Sequence, residues 1–388
     1  MGYVFRKIPL PDLPLRTPQK TEDRENSRLW TWLSADARPL RRIVFFVWGF
    51  DPYAETQLNN VQYFWNLINA RDLATSITDL RNRELVVLMP HKTTLGVAVN
   101  GDYVAKIIGA YQSDATVASI EVVGFSMGGL IAKYALQSMV GRTEKIRSYF
   151  SYDTPHRGAN VPLAVQYATD YLRDKGGQEQ LNNINSQAAR EALIYHYQDN
   201  WVDQKNPVRD PQRTALLNTY EKMAVSKRLL AHIPARYAIA NGDAVERFAG
   251  GETLGGFSAL GAEAGFNALK SDSQSITIWA CGYRRWNAYA DKAVAVDGMG
   301  GGTSDYMYTL LEAIYKGTTA CVIHRPMDKP ICFVPSASAL DMQVVPDAGS
   351  QEDNSRIDFT GTCTMAGSTE HVSVHDQTKT FILDRLPE

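Results

Sequence analysis

The sequence predicts an α/β fold: a mostly parallel, doubly wound sheet. Three observations carry this expectation. Apolar runs of strand length alternate with helix-period segments from Arg42 to Tyr152. Several of these runs, Ile43–Trp48 first among them, are continuously apolar rather than alternating, which marks strands covered on both faces. Between one such run and a helical segment stands Gly124-Phe125-Ser126-Met127-Gly128.

Taken in order, residues 1–40 read as an irregular N-terminal arm, with prolines at 9, 11, 14 and 18 and a short tryptophan-bearing segment, Arg28–Leu33. Residues 41–388 read as the main domain. Ile43–Trp48 is its first strand, broken by Gly49-Phe50-Asp51-Pro52. Gln57 to Leu80 has Leu58, Val61, Phe64, Trp65, Ile68 and Leu73 on one face and predicts a helix. Glu84–Met89 is a strand, Tyr103–Tyr111 a helix, Ser119–Val123 the strand into the glycine-flanked serine, and Ser148–Tyr152 the next strand, ended by Asp153-Thr154-Pro155. Sites in such sheets lie at the carboxyl ends of strands, so Gly49, Ser126 and Asp153 are expected on one rim. Residues 161–232 are mainly helical and polar and are expected to form a cap or lid over that rim. Ala235–Ala240 returns as a strand into Asn241-Gly242-Asp243. Short alternating runs at Ser275–Ala280, Lys292–Val296 and Ala320–Ile323 then predict a β-rich C-terminal excursion.

Composition excludes several classes. With 388 residues, 44% of them hydrophobic, and a net charge of −2, the chain suits a large globular core and lacks the basic surplus expected of a nucleic-acid binder. Its longest apolar run is far too short to span a bilayer. The N-terminus lacks the apolar stretch of a signal peptide, so the chain as numbered is expected inside the cell, or secreted if a signal has been removed. The cysteines Cys281, Cys321, Cys332 and Cys363 show no paired metal-site spacing, and no cofactor or metal is expected.

The chemistry points to Ser126. A glycine-x-serine-x-glycine between strand and helix forms a turn so tight that side chains at Gly124 and Gly128 would collide with neighbouring backbone. It strains the serine, exposes its hydroxyl and aims the helix N-terminus at any negative charge forming there. A serine hydroxyl needs a histidine base oriented by a carboxylate, in the chain order serine, acid, histidine. His371 is the expected base, with His375 as the alternative. Asp243, at the close of a strand after the predicted cap, is the expected acid, with Asp297 and Asp341 in competition. The oxyanion donors are expected to be the backbone N–H groups of Met127 and of Phe50, on the loop leaving the first strand.

These residues together resemble the lipase and esterase branch of the α/β-hydrolase family. Val47-Trp48-Gly49-Phe50 resembles its oxyanion strand, Gly124–Gly129 its nucleophile elbow, and Asp153-Thr154-Pro155-His156-Arg157-Gly158 the stretch that follows the next strand in many bacterial lipases. Pro155–Pro162, the Gly49–Pro52 loop, Phe333–Leu340 and Glu370-His371-Val372 are similar to a group of bacterial hydrolases. Trp48 stands where a histidine commonly precedes the glycine. Ile331 and Cys332 stand where many lipases carry an acid motif. The resemblance implies an α/β-hydrolase fold and a serine carboxylic-ester hydrolase acting through an acyl-enzyme on a small-molecule ester or lipid. Acyl transfer, thioester or amide cleavage by the same residues, or an inactive hydrolase-like binding protein, are the alternatives.

Overall fold

The computed structural model describes residues 17–50, 61–243, 331–342 and 355–386, with short breaks at 25–26, 35–39, 91, 93, 162, 172, 174–177, 200–207 and 227. Between 244 and 330 it describes Gly300 and the strands named below.

An eight-stranded sheet organises the molecule. Its first six strands in the chain are β1 (Lys20–Arg24), β2 (Ser27–Trp32), β3 (Arg41–Val47), β4 (Glu84–Pro90), β5 (Val117–Phe125) and β6 (Ile146–Tyr152). The strands Ala235–Ala240 and Gly361–Thr364 complete it. The spatial order is β1-β2-β4-β3-β5-β6, then Ala235–Ala240, then Gly361–Thr364. From β4 to Gly361–Thr364 every pairing is parallel, whereas β1 and β2 pair antiparallel at one edge.

The continuous apolar runs divide by the strand period of two. Ile43, Phe45 and Val47 face one core, which includes Val122, Met127, Leu130 and Ile131. Val44 and Phe46 face the other, with Val123, Phe125, Phe150 and Tyr152. Both faces are therefore buried, as the runs require.

Three differences from the sequence expectation have local causes. Lys20–Trp32 is not an irregular arm but a hairpin that extends the sheet, because Trp30 and Trp32 are almost fully buried, Trp32 against Trp65. The helix expected over Gln57–Leu80 is interrupted: after helix Val61–Ile68, Arg71 and Asp72 take positive φ values of 56° and 58°, and helical turns resume over Leu73–Thr75 and Ser76–Leu80. There the Asn69 side chain accepts the Thr75 N–H at 2.8 Å, a local bond that competes with the helical one. The helices of the expected cap are Leu163–Tyr171, Gln178–Ile184, Gln187–Ala192 and Pro211–Met223. The last packs on the flank of the sheet: its Tyr220 hydroxyl donates to Leu130 O at 2.9 Å, in the helix that follows β5.

A second sheet is antiparallel throughout, in the order Arg284–Asp291, Ser273–Ala280, Ala262–Lys270, Gly255–Ala259, Cys321–His324. A separate ribbon pairs Gly301–Ser304 with Ile331–Pro335 and lies beside the site described next.

Candidate active site

Ser126 stands between β5 and helix Met127–Ser138 with φ 52° and ψ −130°, a conformation that non-glycine residues reach only under constraint. Close packing supplies the constraint. A Cβ on Gly124 would meet Gly129 Cα at 2.4 Å, and one on Gly128 would meet Val47 O at 2.1 Å. Both glycines predicted for the turn are thus required by contact. The Ser126 N–H is used by Tyr152 O at 2.9 Å on the adjacent strand, which pins the turn to β6.

The Ser126 hydroxyl lies 2.8 Å from His371 Nε2, and His371 Nδ1 lies 2.6 Å from Asp153 Oδ2. The two residues singled out from the sequence, Ser126 and His371, thus lie within hydrogen-bond distance of each other. The carboxylate is different from the one expected. Asp153 sits just past β6, fully buried, with φ 47°. Its N–H donates to Ile239 O at 2.7 Å, and its Oδ1 accepts the Asn241 N–H at 3.1 Å. Both ring nitrogens of His371 are occupied by Asp153 and Ser126, so neither is left for another carboxylate. Asp243 stands beyond the end of Ala235–Ala240, partly exposed. Asp341 is committed elsewhere, ion-paired with Arg157 at 2.7 Å and accepting the Ile357 N–H at 2.8 Å. Asp297 lies outside the described residues. The alternative base, His375, precedes helix Asp376–Leu383 and places its Nε2 2.8 Å from Ser373 Oγ. Partial burial and the charge of Arg71 lower its pKa.

Asp153 had a signal in the sequence: it ends a parallel strand on the same rim as Ser126 and still precedes the histidine in the chain. The expectation of an acid one strand later hid it. That later position is taken by Asn241, which hydrogen-bonds to Asp153 instead of replacing it.

The imidazole is fixed on further sides. The Phe333 ring meets it edge-on with centroids 5.0 Å apart, and the His371 N–H donates to Thr303 O at 2.8 Å. Gly302 leaves the space that the acid fills. A Cβ there would lie 1.9 Å from Asp153 Oδ2. Gly302→Ala is therefore expected to displace the carboxylate from His371 and lower any turnover at Ser126 at least tenfold, on the order of the cost of a modest misplacement. Steady-state assays beside a thermal melt would check this, and full activity in the variant would refute it.

The two residues expected to supply oxyanion donors, Met127 and Phe50, lie on or next to the Ser126 turn. Met127 is the first residue of its helix, so its N–H has no intrahelical acceptor and lies at the positive end of the helix dipole. Gly49 packs directly on this turn, since a Cβ there would stand 3.0 Å from Met127 N. Phe50 follows it, part-buried against the core. Trp48 donates its N–H to Leu88 O at 3.0 Å and lays its ring against Phe125, 5.6 Å between centroids.

A third histidine–serine contact has another character. His156 Nε2 lies 2.7 Å from Ser151 Oγ, but both are fully buried, and burial with nearby Lys133, Arg157 and Arg213 holds the imidazole neutral. Among the described residues no cluster of three or more His, Cys, Asp or Glu could hold a metal ion, and no helix is long and apolar enough to cross a membrane.

A strained serine between parallel strand and helix, backed by histidine and a buried aspartate, is the arrangement of an α/β hydrolase. The PGAP1-like alpha/beta domain family matches residues 94–203, a stretch that contains the turn at Ser126. The sheet order and that turn are those of the α/β-hydrolase fold. Among solved structures the chain is similar to the Bacillus licheniformis lipase BlEst2 in propeptide form, at 12% identity and a TM-score of 0.33, covering 58% of this chain and 41% of that one. The mature form of the same lipase gives 15% identity and a TM-score of 0.32, over 55% of this chain and 71% of that one. Est1E from Butyrivibrio proteoclasticus gives 9% and 0.29, over 57% and 77%. No curated protein matches the sequence.

Proposed function

We propose that the chain is a serine hydrolase of carboxylic esters, with Ser126 as nucleophile, His371 as base and Asp153 as acid. The observation that carries this reading is the unbroken line from Asp153 Oδ2 through His371 to Ser126 Oγ, with contacts of 2.6 and 2.8 Å. Ser126 Oγ attacks the acyl carbon while His371 Nε2 takes its proton. Asp153 holds the ring in the tautomer that leaves Nε2 free to accept and stabilises the imidazolium that forms. The negative charge on the former carbonyl oxygen is met by the Met127 and Phe50 N–H groups, each donor contributing a few kcal/mol in such sites. His371 then protonates the departing alcohol. Water, deprotonated by the same histidine, releases the acid from the acyl-enzyme. A small-molecule ester or lipid is the substrate class, and the helices of 161–232 other than Pro211–Met223 serve as a cap that shapes its entry.

The test is intact mass after treatment with a fluorophosphonate, on wild type and Ser126→Ala, followed by a panel of esters, thioesters and amides. One adduct on the wild type and none on the variant is the expected result. A folded wild type that takes no adduct would mean a binding protein on a hydrolase scaffold. Preference for thioesters or amides in the panel would move the activity to those bonds.

A further inference from the structure

The turn that presents His371 holds a backbone it would not keep unaided. Val372, its neighbour, has φ 54°, a left-handed conformation that a β-branched side chain strongly disfavours. Within the turn, Ser373 returns two bonds to Glu370 O, from its N–H at 3.1 Å and its hydroxyl at 2.6 Å. The rest comes from outside. On one side Thr303 O accepts the His371 N–H. On the other stands Asn241, fully buried at the end of Ala235–Ala240.

Asn241 is bonded through its side-chain nitrogen, its N–H and its carbonyl, whereas its side-chain oxygen is buried without a partner. Its side-chain nitrogen lies 2.6 Å from Glu370 O, 3.0 Å from Ser373 O and 3.0 Å from Ser373 Oγ. Its carbonyl accepts the Thr369 N–H at 2.8 Å. Its own N–H donates to Asp153 Oδ1. A single residue thus grips both the acid and the turn that carries the base. Asparagine suits the position because its short amide offers two N–H donors to two carbonyls. A carboxylate there would set lone pairs against lone pairs.

We propose that Asn241 is a positioning residue. Its amide locks the Glu370–Ser373 turn onto Asp153, so that His371 meets the carboxylate at Nδ1 and Ser126 at Nε2. The inference rests on the reading of Ser126, His371 and Asp153 as one reacting unit. Asn241 touches no reacting atom. It acts through the turn, and its loss changes the chemical step rather than substrate affinity.

The experiment compares full-length wild type with Asn241→Ala and the near-isosteric Asn241→Asp. One readout is hydrolysis of p-nitrophenyl butyrate. The other is the low-field imidazole Nδ1–H resonance in protein carrying ¹⁵N-histidine, assigned by its loss in His371→Ala. Both Asn241 variants are expected to lose kcat on the order of 100-fold, with KM little changed, and to lose or broaden the resonance. Wild-type kcat in either variant, or an intact resonance in a variant whose only change is a lower melting temperature, would overturn the proposal. So would a wild type without that resonance. The resonance needs no turnover: an inert wild type would sink the hydrolase reading, and the spectra would still decide for or against Asn241.

Discussion

Asp153→Asn is expected to lower kcat on the order of 10⁴-fold while the protein stays folded, and Asp243→Asn to leave kcat near wild type. The structure says why the first exchange is severe. Asp153 Oδ1 faces the Asn241 N–H, a donor, so the remaining oxygen of the new amide stays on that side. The amide nitrogen then turns toward His371 Nδ1 and donates to it. The imidazole is forced to carry its proton on Nε2, where it can no longer accept one from Ser126. Shape is preserved and the tautomer is wrong. Steady-state kinetics on the pair of variants reads this directly. A large loss in the Asp243 variant with little in the Asp153 variant would restore the assignment expected from the sequence.

The largest effect on stability is expected at Glu121, in the middle of β5. Its carboxylate pairs with the Arg83 guanidinium at 2.9 Å, with the two side chains 0% and 2% exposed. Desolvation outweighs the attraction of Arg83 and raises the Glu121 pKa to about 7, and desolvation likewise lowers that of Arg83. Glu121→Ala would strand a buried guanidinium and is expected to cost about 3–5 kcal/mol, measured by urea unfolding. Replacing both partners with apolar residues of similar volume is expected to cost far less. The pH dependence has a definite sign. A carboxyl whose folded pKa lies above its unfolded one binds an extra proton in the native state. Its contribution is therefore full below the unfolded value near 4.5 and is lost as pH rises through about 7. The stability of wild type relative to Glu121→Gln should fall between pH 5 and pH 8. A difference that grows with pH would refute the account.

Much of this site was legible in the chain because its parts are local. The elbow needs Gly124 and Gly128 within two residues of Ser126, and the contacts that forbid a side chain there come from the same turn and the strand beside it. The parallel core was legible for a similar reason: a strand buried on both faces must be apolar at successive positions, as Ile43–Val47 is. Trp30 and Trp32 carried a hint of their own, since two large apolar side chains two apart in a short segment fit a half-covered strand. The prolines around them hid it.

The sheet, the strained serine and a histidine late in the chain can all be read from side chains a few residues apart. Which carboxylate meets that histidine depends instead on contacts between distant stretches of chain. Asp153, Asn241, Gly302 and Thr303 come from three separate stretches of chain, and what unites them is parallel pairing of β6 with Ala235–Ala240 and the nearby ribbon at Gly301–Ser304. An aspartate after a strand reads the same in sequence whether it ends in solvent or beneath an imidazole. The difference lies in the neighbours that bury it and the hydrogen bonds that make its burial tolerable.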